Sequence, residues 1–225
     1  MLAVLSVSLC VPLCLSAFLI PPAAATSSAA SGACAGTVAT NDSYSWQSAV
    51  CAEHPMAEGA HYVEMTLLEK GRVGAYMGVA GQGFDAAGGG EASSSAEGWL
   101  LYTYAGTLEH ASMTSNWEGM PQIGEIKRGD VVGLLLDLGQ RTLSVYLNGA
   151  RRGVMVAPGM KNTRGEAVAP LAGPLRWAVD VYRGASVRIV RRPAPGPVPS
   201  AEEVAAAVAW NEANTPEDNS DEWDY

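Results

Sequence analysis

GDVVGLLLDLGQRTLSVYLNGARRGVMV, residues 129–156, decides the fold of this 225-residue chain. Leu134, Leu136 and Leu138 alternate along one side of a predicted strand, and Asp130 marks the turn that leads into it. Gly139-Gln140 predicts the next turn. Thr142 to Leu147 then alternates again, with Leu143, Val145 and Leu147 on one face and Ser144 and Tyr146 on the other. Asn148-Gly149 is the strongest short hairpin signal, because a type I′ turn needs positive φ at both central residues. Arg152 to Val156 is the return strand.

Outward from this block the same short period recurs. His61 to Leu68 sets Tyr62, Glu64 and Thr66 opposite Val63, Met65 and Leu67. Gly74 to Ala80, Trp99 to Tyr104, Leu175 to Tyr182 and Ser186 to Val190 are further strand candidates. Between two of them, Gly81 to Gly98 is rich in Gly, Ala and Ser and predicts a long mobile loop. About eight or nine short strands with glycine turns, and no convincing helix among them, predict an all-β, two-sheet antiparallel β-sandwich. Its ordered part should begin near Tyr44 and Trp46 and occupy residues 43–192.

The flanks read differently. Residues 1–25 form an apolar leader, with no charged side chain before Asp42, and suit a signal peptide or a membrane anchor. An organelle-targeting leader or a misplaced start codon are the other readings. Residues 26–42 are small and polar and predict a flexible linker. In a secreted chain Cys34 and Cys51 could pair as a disulfide, and Asn41-Asp42-Ser43 is a glycosylation sequon at Asn41. Residues 193–225 comprise a Pro-rich exit linker, a short helix and an acidic tail. Ser200 and Glu203 have capping-box spacing for a helix running to about Trp210, and Asn214 onward reads as disordered.

Charge sharpens this division. The chain has 23 acidic and 14 basic residues, a net −9. Eight of the acids (Glu202, Glu203, Glu212, Glu217, Asp218, Asp221, Glu222 and Asp224) fall after residue 200, where no base is found. The rest is nearly neutral and carries no basic footprint for nucleic acid. The tail suits a solvated segment; with Trp210, Trp223 and Tyr225 among its acids it could also engage a basic partner. Cys10 and Cys14 lie in an apolar run without other ligands, so no metal or cofactor is expected. Glycoside hydrolysis needs two carboxylates about 5–9.5 Å apart, and no strand carries the alternating acids that would provide them. Neither His54 nor His110 sits in a recognisable catalytic motif.

The order of these segments resembles a SPRY domain. The matching residues are His61-Tyr62-Val63-Glu64-Met65, Met77-Gly78-Val79-Ala80, Gly129-Asp130-Val131-Val132-Gly133, Leu136-Asp137 and Thr142 to Gly149, followed by Gly153-Val154, Trp177-Ala178-Val179 and Gly184-Ala185-Ser186-Val187. Val63 departs from the Trp found there in many members, and no PRY extension is recognisable before the pattern. The resemblance implies a concanavalin-like jelly roll whose loops bind a protein or short peptide without catalysis. It also implies an intracellular setting, against the secretory look of the leader. Tyr182, with Arg183 beside it, matches the aromatic position just before the last strand that the cytokine-signalling adaptor branch uses. Tyr and Arg are favoured interface anchors. Trp46, Phe84 and Trp117 lie near loops and could line the same face, although core burial is the commoner role for such rings. A secreted carbohydrate-binding sandwich is the alternative, with Trp117 or Trp99 stacking on a sugar.

Overall fold

A computed structural model describes residues 5–8, 37–52 and 55–215. Thirteen strands among them form two sheets, and every neighbouring pair is antiparallel. The first sheet runs in the order β1 (Leu5–Ser8), β2 (Thr37–Asn41), β13 (Ala185–Arg191), β4 (Ala60–Lys70), β9 (Val131–Asp137), β10 (Thr142–Leu147) and β11 (Ala150–Val156). The second runs β3 (Gln47–Val50), β12 (Leu175–Val181), β5 (Ala75–Gly81), β6 (Gly98–Tyr102), β7 (Leu108–His110) and β8 (Met113–Ser115). The two pack face to face as an all-β sandwich. Among the described residues the one α-helix, α1 (Ala201–Ala213), lies outside it. No helix among the described residues is long and apolar enough to cross a membrane.

Alternation places the core. Val63, Met65, Leu134, Leu136, Leu143 and Val145 point inward from the first sheet and meet Met77, Val79, Trp99, Leu101, Trp177 and Val179 of the second. Asn148 and Gly149 both have positive φ, 51° and 81°, as the type I′ turn demands. The Asn148 side chain then ties the turn down, accepting from the Val131 N–H at 2.9 Å and donating to Asp130 at 3.0 Å. Asp137 accepts from the Gly139 N–H at 2.8 Å, fixing the turn between β9 and β10.

Several expectations are corrected at the edges. The stretch read as linker supplies β2, which pairs with β13 in the register Val187↔Ala39. Short, small-residue strands such as TVATN carry no alternation strong enough to read. The β7–β8 hairpin is equally cryptic, since its turn puts Ala111 and Ser112, not Asn-Gly, at φ 53° and 61°.

The C-terminal segment is a strap, not a free exit. Gln140 donates to the Pro199 carbonyl at 2.7 Å, and Pro199 is buried. Ser200 and Glu203 form the full capping box of α1. Ala207, Val204 and Val208 pack on Val154, Ala157 and Met160. Asn211, 1% exposed, accepts from the Lys161 N–H at 2.7 Å and donates to the carbonyls of Asn116 and Lys161. The last ten residues of the acidic tail, 216–225, lie outside the described residues.

Candidate functional site

The outer face of the second sheet is built in rows that follow from strand register. One row crosses Val50, Ala178, Gly78, Leu100 and Glu109. The next crosses Ser48, Asp180, Tyr76 and Tyr102. Trp46 and Tyr182 extend β3 and β12 by one further step on this face. The result is a continuous aromatic strip. Tyr182 lies 5.3 Å from Trp46, Trp46 lies 4.8 Å from Tyr76, Tyr76 stacks on Tyr102 at 4.4 Å, and Tyr104 follows at 5.9 Å. Arg183 sits 3.6 Å over the Tyr44 ring at one end, and the Lys70 ammonium 5.4 Å over Tyr104 at the other. Trp46, Tyr76, Tyr102 and Tyr182 are half-buried; Tyr44 and Tyr104 are exposed.

Asn41 shapes the end of the strip that holds Tyr44 and Trp46. Its Nδ2 donates to the carbonyls of Ser45 and Val181 at 2.6 and 2.8 Å, and its Oδ1 accepts from the Ser43 N–H at 2.8 Å. This knots the turn before β3 against the end of β12. The Asn41 amide nitrogen, expected as a glycosylation acceptor, is committed to these hydrogen bonds, and the residue is 1% exposed. The expected Cys34–Cys51 pair involves a residue outside those described. Cys51 is a free, buried thiol, pushed up to about 12 by burial, and Cys34 lies outside the described residues, as do Cys10 and Cys14.

The glycine-rich stretch after β5 is also not the mobile loop expected of its composition. β12 brackets it with two side chains. Arg176 donates to the carbonyls of Gly81, Gln82 and Phe84. Asp180, fully buried, accepts from the Ser48 hydroxyl at 2.6 Å, the Ser93 N–H at 2.8 Å and the Ala92 N–H at 3.2 Å. Burial pushes the Asp180 carboxyl up, and those hydrogen bonds pull it back in part. The loop lies over the row containing Leu100 and Ala178, with Phe84 and Ala92 packed beneath it. Tyr76 packs against the edge of this cluster and stays half-exposed, as do Tyr102, Trp46 and Tyr182.

Of the five aromatic and basic candidates, the structure brings Tyr182, Arg183 and Trp46 together. It removes the other two from the surface. Phe84 is 8% exposed under the loop, and Trp117 is fully buried in the core, its indole N–H donating to the Gly106 carbonyl at 2.8 Å. Tyr76, Tyr102 and Asp180 were not among the candidates. The signal for them is the spacing of large and small side chains: Tyr76, Gly78, Ala80 on one strand and Ala178, Asp180, Tyr182 on its neighbour. The small residues make room for the loop, and the large ones form the strip.

No family model matches the sequence, and no curated protein does. Solved structures do match. The crystal structure of the SPRY domain of human HERC1 superposes with a TM-score of 0.52 at 19% identity, over 68% of this chain and 87% of that one. The fold is that of a SPRY domain. A second human SPRY domain matches at 14% identity with a TM-score of 0.49, over 68% of this chain and 90% of that one. The SPRY architecture accounts for the two sheets and the hairpin block. It does not by itself say what is bound.

Proposed function

We propose that this chain is a non-catalytic protein- or peptide-binding module, and that its contact surface is the aromatic strip on the second sheet. The observation that carries this reading is the half-exposed row Tyr182–Trp46–Tyr76–Tyr102–Tyr104, held on rigid strands. Rings of this kind supply contact area at low cost in conformational entropy, and Tyr, Trp and Arg dominate interface energetics. The SPRY fold agrees with such a role. The carbohydrate-binding alternative loses its candidate stacking rings, since Trp99 and Trp117 are 4% and 0% exposed.

The test is selection of a displayed peptide library on the full chain, followed by titration of the enriched peptides against Tyr102→Ala and Trp46→Ala. Affinity should fall at least tenfold in both variants while the thermal midpoint barely moves. Enriched peptides that bind both variants as well as the parent would overturn the reading.

A further inference from the structure

The two ends of the strip differ from its middle in charge. At the ends the chain supplies its own cations, Arg183 over Tyr44 and Lys70 over Tyr104. Lys70 also donates to the Ile126 carbonyl, which holds it there. Among the described residues no cation of the chain is found over the central Tyr76–Tyr102 pair. Carboxylates surround that pair instead. Glu109 projects from β7 on the same face, because it pairs with Leu100, two residues before Tyr102. Glu91 approaches from the bracketed loop. Glu109, Asp180 and Glu91 all act on the Tyr76 phenol.

Asp180 is fully occupied by the loop, as described above. Glu91 and Glu109 are not so occupied. Glu109 receives hydroxyl hydrogen bonds from Thr107 and Thr114, and Glu91 one from Ser94. Neither forms an ion pair among the described residues. Both are half-buried. A carboxylate partly removed from water without a cation is under-compensated. The electron-rich faces of two tyrosines beside it favour a positive charge as well.

We propose that the centre of the strip is a subsite for a cationic side chain, an arginine or lysine of the bound peptide, received between the Tyr76–Tyr102 faces and the carboxylates of Glu91 and Glu109. This rests on the strip being the contact surface. The chain's own C-terminal segment is excluded as occupant by its charge, since residues 217–225 carry acids and no base. The cation comes from another molecule.

Two probes separate charge from shape: the peptide acetyl-Gly-Ser-Arg-Ser-Gly-amide, and the same peptide with citrulline, which keeps the shape of arginine and removes its charge. Titrated into the isotope-labelled full chain, the arginine peptide should shift the backbone amide signals of Tyr76, Tyr102 and Glu109. The citrulline peptide should bind at least fivefold more weakly. The double variant Glu91→Gln/Glu109→Gln should bring the arginine peptide down to the citrulline level and leave the citrulline peptide unchanged. Equal affinity for the two peptides, insensitivity to the double variant, or no shift at these residues would sink the subsite. Library peptides that lose binding in Tyr102→Ala but carry no Lys or Arg would sink it too, and leave the binding-module reading standing. If enriched peptides ignore the strip altogether, both fall.

Discussion

The two sheets each carry a tyrosine pair on the outer face, and the fates of the pairs differ. On the first sheet Tyr62 and Tyr146 meet edge to face at 5.7 Å across β9, over Gly133, whose missing side chain leaves the space that the Tyr62 hydroxyl fills. They are 6% and 4% exposed. On the second sheet Tyr76 and Tyr102 stack at 4.4 Å and remain half-exposed. The difference lies in what the chain does next. Its C-terminal segment runs back over the first sheet and ends in α1. Over the second sheet it sends the bracketed loop, against whose edge Tyr76 packs while both tyrosines stay half-exposed. One face is finished intramolecularly. The other has the same aromatic chemistry and only partial cover, which is why we propose a partner for it.

The largest expected effect removes the cover. A chain ending at residue 192 would expose Tyr62, Leu135, Tyr146, Val154, Ala157 and Met160 together. At roughly 1.5–3 kcal/mol per large apolar side chain returned to water, partly offset by regained chain entropy, the loss should be on the order of 3–5 kcal/mol. Asn211→Ala tests the same contact more gently. It orphans the Lys161 N–H and two carbonyls, and should cost about 1–3 kcal/mol. Urea denaturation measures both. An unchanged midpoint in both would mean that strap and helix merely rest on the sandwich, and the contrast between the faces would dissolve.

Next in size is the bracket on the open face. Asp180→Ala leaves the Ser93 N–H without its acceptor in a buried site, while the Ala92 N–H keeps the Ser48 hydroxyl oxygen at 3.0 Å. A loss of roughly 1–3 kcal/mol is expected, with faster proteolytic cutting near Gly88-Gly89-Gly90. If the variant is cut no faster than the parent, the loop is held by Phe84 and Ala92 packing rather than by Asp180.

These two devices show what was legible in the sequence. The hairpin block could be read because one feature, Asn148-Gly149 between alternating runs, fixes both turn and register locally. α1 could be read because its capping box is local as well. The strap could not. Its partner residues, Gln140 and Tyr146, are distant in sequence, and a Pro-rich stretch looks the same whether it crosses a sheet or enters solvent. The loop after β5 misled for the same reason: its composition is that of a mobile segment, and the two side chains that hold it lie about ninety residues away, on β12. Of the proposed contact face, Tyr182 and Arg183 are legible through family resemblance. Tyr76 and Tyr102 join them only once register puts β12, β5 and β6 side by side. Trp117 and Phe84 were near loops in sequence and in the interior in space.

A double dissociation sharpens the comparison further. Tyr146→Ala and Tyr102→Ala remove the same side chain from opposite faces. Tyr146→Ala should destabilise by about 3 kcal/mol and leave peptide affinity at the native temperature unchanged. Tyr102→Ala should cost about 1 kcal/mol or less in stability, yet weaken peptide binding at least tenfold, about 1.4 kcal/mol. Thermal denaturation and calorimetric titration on the same two samples decide it. Equal profiles for the two variants would remove the functional distinction between the faces.

The smallest effect is one of sign. On the covered face, the Ser200 backbone N–H holds the Glu203 carboxyl below the usual glutamate range, with Arg151 assisting. On the open face, burial holds the Glu109 carboxyl above it, against hydrogen bonds from Thr107 and Thr114. A folded-state value lower than the unfolded one means stability that is present above the usual range and lost as pH falls through the folded value. A raised value means the reverse: the folded chain keeps its proton longer than the unfolded one, and that contribution is lost as pH rises through the folded value. Glu203→Gln should therefore be less stable than the parent at pH 7, with the gap closing towards pH 4. Glu109→Gln should be as stable as the parent or more so at pH 7, and lose that advantage on acidification. Urea midpoints at several pH values measure the two gaps. Opposite slopes are what a capped, paired carboxylate on one face and an uncompensated one on the other must produce. Parallel slopes would mean that Glu109 already has its cation within the chain, and the open face would have no charge left to offer a partner.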